Sequence, residues 1–318
     1  MNQQSKTGER TKGECVATVV LLGTLDTKGA EYEFLRKKLQ DAGCQVILID
    51  AGILGVPLTQ PDISREEVAK TVGADVAALV ATGDRGVAIE VMARGATKVV
   101  SDLYAAGRLS SLLGLGGSGG SSLVTQAMQV LPIGVPKLLV STMASGDTRP
   151  YVGAVDVTIM HSVVDFAGIN RISQRILSNA AAAIAGMAMS YENTLNSVST
   201  KPLVATTMFG VTTPCITVVR EQLESLGYEV LVFHATGTGG RAMEALVRGG
   251  FFVGVLDITT TELADELVGG VLSAGSERLE AAGEQNLPQV VSLGALYMVN
   301  FGPLETVPEQ FRTRNLYK

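Results

Sequence analysis

The chain has no tryptophan, aromatics make up only 5% of its 318 residues, and charged residues only 18%. The hydrophobic share is 46% and the mean hydropathy +0.29, enough apolar material for large buried cores, which excludes a disordered or coiled-coil chain. Basic residues are too few for a nucleic-acid binder, 25 against 31 acidic, for a formal net charge of −6. The three cysteines, Cys15, Cys44 and Cys215, form no CxxC pair or metal-ligand cluster, which predicts a reduced, cytoplasmic protein. Two histidines, His161 and His234, exclude an all-histidine zinc site, and no metal ligands are assigned. The opening MNQQSKTGERTKGE lacks the apolar stretch of a signal peptide. No uninterrupted apolar run approaches the roughly 18 residues that span a bilayer, so no membrane partner is expected.

What is abundant is glycine, 36 residues, set among alternating strand and helix patterns. VATVVLLG (16–23) and CQVILIDAG (44–52) have the continuous hydrophobicity of strands covered on both faces. Between them AEYEFLRKKLQDAG (30–43) reads as a helix ended by Gly43. SREEVAKTVG (64–73) reads as a helix opened by a Ser64/Glu67 capping box. VAALVATG (76–83) is expected as a strand, DRGVAIEVMARG (84–95) as a helix, and LLGLGGSGG (112–120) as a strand running into a glycine loop. SSLVTQAMQVL (121–131) continues as a helix and KLLVSTM (137–143) as a strand. The alternation predicts an α/β fold of two Rossmann-like, doubly wound subdomains with mainly parallel sheets. A polar tail (1–15) precedes the first, nucleotide-binding subdomain (16–195), and the polar stretch YENTLNSVSTKP (191–202) marks the boundary to the second (200–318). The second half restarts the pattern with PLVATTMFG (202–210), VVREQLESLG (218–227) and YEVLVFHATGTGG (228–240). Gly43 and Gly227 align at a shift of 184, Gly23 and Gly210 at 187, the signature of a duplication.

Ligands of doubly wound sheets bind where strands give way to helix N-termini. GLGGSGGSS (114–122) is the strongest such segment: without β-carbons, backbone N–H groups converge on an anion and the following helix adds its positive end. Gly116, Gly117, Ser118, Gly119, Gly120 and Ser121 are assigned to the cofactor, although tight helix–strand packing would also use such glycines. No Lys-Ser/Thr pair follows, so this is not a Walker A loop. In GTLDTKG (23–29), Thr24, Asp26, Thr27 and Lys28 join the same set, Lys28 meeting a phosphate and Asp26 orienting a metal-bound water or capping the helix. Asp50 either takes ribose hydroxyls or caps the next turn. Gly83, Asp84 and Arg85 of TGDRG either clamp a phosphate or close a loop ion pair.

Acid–base candidates are Asp147, His161, Asp165 and His234, each a group that also serves structural roles. A second anion loop is read in HATGTGGR (234–241), with Thr236, Gly237, Thr238, Gly239, Gly240 and Arg241 facing a small-molecule substrate. Thr212, Thr213 and Thr260 add hydroxyls, unless they serve as N-caps. The two loops would place this ligand in the cleft between the halves.

Six of these strings, GTLDTKG, GLGGSGGSS, PIGVPKLLVSTMASGDT (132–148), HSVVDFAGINRIS (161–173), TMFGVTTP (207–214) and VFHATGTGGRAMEAL (232–246), together resemble one family. It is the largely uncharacterised family that shares the ATP-binding N-terminal region of the tomato mosaic virus resistance protein. The resemblance runs from about Thr18 to the end. It implies two Rossmann-like subdomains, ATP with its usual Mg2+ at the first, and a homodimer. It also implies further strand and helix beyond NLYK, so a truncated second subdomain is expected. The function expected is an ATP-dependent enzyme or switch of small-molecule metabolism; the alternative is a non-catalytic nucleotide-binding module whose ATP stabilises a dimer surface. An NAD(P)-dependent oxidoreductase fits the pattern less well, because the glycine loop is read after a late strand.

Overall fold

The computed structural model describes residues 16–194 and 201–316. The polar tail 1–15, with Cys15, and residues 195–200 of the boundary between the halves lie outside the described residues. The chain divides into two compact units, Met1–Val198 and Ser199–Lys318.

The first unit runs β1 (Thr18–Gly23), α1 (Leu25–Asp41), β2 (Gln45–Asp50), α2 (Arg65–Lys70), α3 (Val76–Ala81), α4 (Arg85–Ala105), β3 (Ser111–Gly116), α5 (Ser118–Gln129), β4 (Lys137–Ser141), α6 (Arg149–Val152), β5 (Val157–His161) and α7 (Arg171–Thr194). Its five strands are all parallel, in the order β2-β1-β3-β4-β5. The two-residue period of a strand splits β1 between two cores. Val19 and Leu21 pack with Leu35, Leu39, Leu177 and Ile184 under α1 and α7. Val20 and Leu22 pack with Met92, Val100, Val124 and Met128 under α4 and α5. Both faces are covered, which is why this strand reads as one apolar run.

The capping box at α2 forms as read: Glu67 N donates to Ser64 Oγ and Ser64 N to Glu67 Oε2. The Ser64 amide and hydroxyl hold the Glu67 carboxyl below its ordinary range. The segment 76–83 is helix, not strand. Asp75 caps it through the Ala78 amide at 2.9 Å, and only Leu79 of α3 is buried. A short apolar run does not separate the two periods. Strand β5, in a stretch to which the sequence assigns no element, stands at the sheet edge with a half-exposed pattern. With 76–83 removed from the strands, the glycine segment follows the third strand, and that strand lies beside the first. The glycine segment thus follows the third strand in place of the fourth, still not the first, and the pattern continues to differ from a dinucleotide-binding first turn.

The second unit contains β6 (Leu203–Met208), α8 (Thr213–Ser225), β7 (Glu229–His234), α9 (Thr238–Arg248), β8 (Gly254–Thr259), α10 (Thr261–Val268), α11 (Ala281–Glu284) and β9 (Gln289–Gly294). Its parallel sheet has the order β7-β6-β8-β9, the order of the first four strands of unit one. Gly43 and Gly227 both take positive φ, +84° and +91°, before the second strand of each sheet, where a Cβ would be strained. Gly23 ends β1 and Met208 ends β6, so Gly210 is not the counterpart of Gly23.

Among the described residues, no helix is long and apolar enough to cross a membrane.

Candidate functional site

The order of the first sheet reverses between β1 and β3, the point at which open α/β sheets bind ligands. Pairing of β1 with β3 ends at Leu22 and Gly114. Beyond it the Tyr32 hydroxyl donates to Leu22 O and accepts from Leu115 N at 2.9 Å. Gly23 makes room, since a Cβ there would lie 2.0 Å from that hydroxyl. Burial pushes the Tyr32 pKa well up, so the phenol stays neutral and holds both strands.

At the carboxyl ends lies a cavity of about 250 Å³, lined by Thr24, Asp26, Thr27, Lys28, Arg85, Gly117, Ser118, Gly119 and Gly120. Three segments distant in sequence thus deliver their expected residues to one place. Asp165 joins them from the loop after β5. Ala51, Ile53, Leu54, Ile89 and Leu123 form an apolar wall not read from the sequence. Its signal was the ILG that follows DAG. A larger cavity, of about 630 Å³, opens beside Val46 and Ile47 at the amino end of β2. Helix N-termini do not converge at that end of a parallel sheet, so the smaller cavity is the candidate site.

The glycines sort into two kinds. A Cβ at Gly114 would lie 2.4 Å from Val124, and one at Gly116 2.8 Å from the Gly120 backbone, so these two serve packing. At Gly117 the nearest atom would be Thr142 Oγ1 at 3.6 Å, and at Gly119 Ile89 Cδ1 at 3.3 Å. The fold tolerates a side chain at 117 and nearly so at 119, and both residues line the cavity. Ser118 opens α5, so what reads as a loop is a helix's first turn with free amides.

Lys28 sits at a non-helical kink (φ −132°, ψ 22°) in α1, its Nζ 3.3 Å from Phe166 O and 5.3 Å from that ring's centroid. The Arg85 side chain is exposed and makes no hydrogen bond or ion pair among the described residues. A cavity floored by helix amides and flanked by two cations suits an anion.

Several expected ligand residues do other work. Asp50 is fully buried: Oδ1 accepts from Leu25 N (3.1 Å) and Gly52 N (2.8 Å), and Oδ2 from Arg65 Nε (2.8 Å). It caps α1 and holds Arg65, leaving nothing for a ribose. Asp84 caps α4 through the amides of Gly86 and Val87, and Gly83 turns the chain at φ +66°. Ser121 is buried against Ser141, hydroxyl to hydroxyl at 2.7 Å. Asp147 pairs with Arg149 on the surface at 2.7 Å, and hydrogen bonds from Arg149 draw its carboxyl down to about 2. His161 ends the edge strand β5, exposed, and does not line the cavity.

The second unit's glycine segment is filled from within. Glu262 Oε1 accepts from Gly237 N (2.7 Å) and Gly240 N (3.1 Å), and Oε2 from Arg278 Nε (2.8 Å). Arg278 also pairs with Glu244 and Asp257. Burial works against its charge, but hydrogen bonds and the fields of Asp257 and Glu262 outweigh it and raise its pKa. Here the glycines are steric: a Cβ at Gly239 would lie 1.9 Å from His234 O. Thr212 bonds Thr259 (2.7 Å), Thr213 the Phe209 carbonyl, Thr236 the His234 carbonyl, Thr260 Ser292 O and Arg241 Ser273 O. Thr238 is the exposed first residue of α9. His234 stacks on Phe209, centroids 5.5 Å apart. The residues assigned to a substrate are, apart from the Thr238 side chain, engaged in this unit's own packing and hydrogen bonds.

No group of three or more His, Cys, Asp or Glu residues able to hold a metal occurs among the described residues. Cys44 is buried and Cys215 exposed, both as free thiols.

Fold and cavity define a doubly wound α/β protein with an open cavity at the switch point of its first sheet. The chain belongs to an uncharacterised protein family (UPF0261): residues 17–193 match its N-terminal domain and 201–318 its C-terminal domain. It is 53% identical over 300 residues to a UPF0261 protein of Clostridium tetani, covering 94% of this chain and 74% of that one. A Rhizobium meliloti UPF0261 protein is 46% identical over 300 residues, at 94% and 73% coverage. The ToMV resistance protein Tm-1(GCR237) of Solanum lycopersicum is 43% identical over 320 residues, which cover 94% of this chain and 42% of the tomato protein. The resemblance read from the six motifs is thus a family relationship.

Proposed function

We propose that the first unit binds ATP, its phosphates on the amides opening α5 between Lys28 and Arg85. The observation that carries this reading is the single cavity at the β1/β3 switch point. Residues of segments 23–29 and 114–122, together with Arg85 of 82–86, meet there. Backbone amides stabilise phosphate charge without the desolvation cost of several buried lysines. At about 250 Å³ the cavity takes phosphates and sugar. The base lies on the apolar loop beyond, where Leu54 and Val56 are exposed. Bound ATP would supply a transferable phosphoryl group, with Mg2+ arriving on the phosphates and Asp165 as the nearby carboxylate. We place the protein in the reducing cytoplasm as a homodimer acting in small-molecule metabolism.

A second reading, a non-catalytic nucleotide-binding module, is favoured by one fact. Of the four acid–base candidates, only Asp165 reaches the cavity. Turnover of ATP that rises with one small acid supports an enzyme; binding without hydrolysis supports the module.

Calorimetric titration with ATP and magnesium tests the site. Saturable binding is expected for the wild type, lost in Gly117→Val and weakened roughly tenfold or more in Lys28→Ala. Wild-type protein that is folded and binds no ATP would overturn the reading.

A further inference from the structure

Asp50 is consumed inside the fold, yet a carboxylate still stands over the end of β2. It is Asp26, reaching across from the first turn of α1, with its side chain 2% exposed. Its Oδ2 accepts from the amides of Leu54 (2.6 Å) and Gly55 (3.3 Å) in the loop that follows β2. Arg65 stands 3.8 Å from the same oxygen and is itself anchored by Asp50. Gly52 leaves the room this requires, since a Cβ there would lie 2.6 Å from Asp26 Oδ1. Held from three sides, Asp26 lines the cavity.

Its Oδ1 is buried and has no hydrogen-bond partner among the described residues. Buried carboxylate oxygens are ordinarily paired. A carboxylate only accepts, so whatever completes it must donate. The amides of 117–120 lie at the end of β3, and β1 runs between β3 and β2. Two inter-strand gaps, roughly 10 Å, therefore separate the phosphate cradle from Asp26. That is the span from a sugar hydroxyl to the outer phosphates of a nucleoside triphosphate, and inorganic phosphate alone would not bridge it.

We infer that Asp26 Oδ1 accepts a ribose hydroxyl of the bound nucleotide, which makes Asp26 the residue that reads the sugar. The inference rests on the nucleotide reading above. Asp26→Asn keeps an oxygen for Leu54 and Gly55 and removes the charged acceptor. The test is calorimetric titration of the full chain, wild type and Asp26→Asn, with ATP, 2′-deoxy-ATP and 3′-deoxy-ATP in the presence of magnesium. At least one deoxy analogue is expected to bind the wild type about ten- to a hundredfold more weakly than ATP. Asp26→Asn is expected to bind all three alike. Equal affinities in the wild type, or discrimination that survives in Asp26→Asn, would overturn the role of Asp26 and leave the nucleotide site standing. If the wild type bound none of the three, the nucleotide reading would fall and this inference with it.

Discussion

Two glycine-rich turns, GGSGG at the start of α5 and TGTGG at the start of α9, look equally suited to an anion, yet only one of the two is open. In the first unit the amides face a cavity. In the second they are bound by Glu262, with Arg278 behind it. Corresponding strands explain the difference. β3 ends at Gly116 with α5 starting at Ser118, and β8 ends at Thr259 with α10 starting at Thr261. Gly119 and Glu262 are therefore the second residues of equivalent helices. One unit leaves that position without a side chain, and the other fills it with a carboxylate that reaches the neighbouring turn. Amides at a glycine-rich helix start can take an anion; in the second unit that anion is a side chain of the same chain, supplied by one position elsewhere.

The largest effect should come from removing the cation behind the filled turn. Arg278→Leu leaves Glu244, Asp257 and Glu262 buried together without their countercharge. Breaking one partner of such a cluster typically costs about 3–5 kcal/mol. Urea unfolding should show that loss, and a loss below about 1 kcal/mol would mean that Glu262 is not held as an internal anion. Next in size is Gly119→Glu, which carries the second unit's plug into the first. Nucleotide affinity should fall a hundredfold or more, about 2.7 kcal/mol, with the melting temperature nearly unchanged because only the flexible end of Ile89 stands near. Unchanged affinity would show that position 119 does not face the ligand. Gly239→Ala should then cost about 1–3 kcal/mol, since its Cβ would meet the His234 carbonyl, which belongs to the backbone and does not yield easily.

Much of the fold was legible because parallel strands buried on both faces read as apolar runs, as 16–23 and 44–52 do. The segment 76–83 was not, because its helix rests on a single cap at Asp75 and one buried leucine. The candidate site was legible where chemistry depends on local composition, in the glycines of 117–120 and in Lys28. It was not legible where a partner lies far along the chain. Asp50 reads as a ribose acid until Arg65 and the Leu25 amide claim it. The TGTGG turn reads as a phosphate cradle until Glu262, 25 residues beyond Gly237, enters it.

The smallest stability effect, and the sharpest contrast with Gly239→Ala, belongs to Gly119→Ala. Gly119 lies within α5 without positive φ, so alanine fits its backbone, and its Cβ would meet only Ile89 Cδ1 at 3.3 Å. Replacing glycine by alanine in a helix gains up to about 1 kcal/mol by restricting the unfolded chain, and the Ile89 contact takes back part of it. Thermal unfolding should therefore show a change of a degree or so per few tenths of a kcal/mol, in the stabilising direction. ATP affinity should fall, because the added methyl stands where phosphate oxygens approach the amides. A glycine kept for packing loses stability on gaining a methyl; a glycine kept for a ligand loses affinity instead. If Gly119→Ala destabilised the protein as Gly239→Ala does and left ATP binding untouched, both turns would be packing devices, and the open one would not be a site.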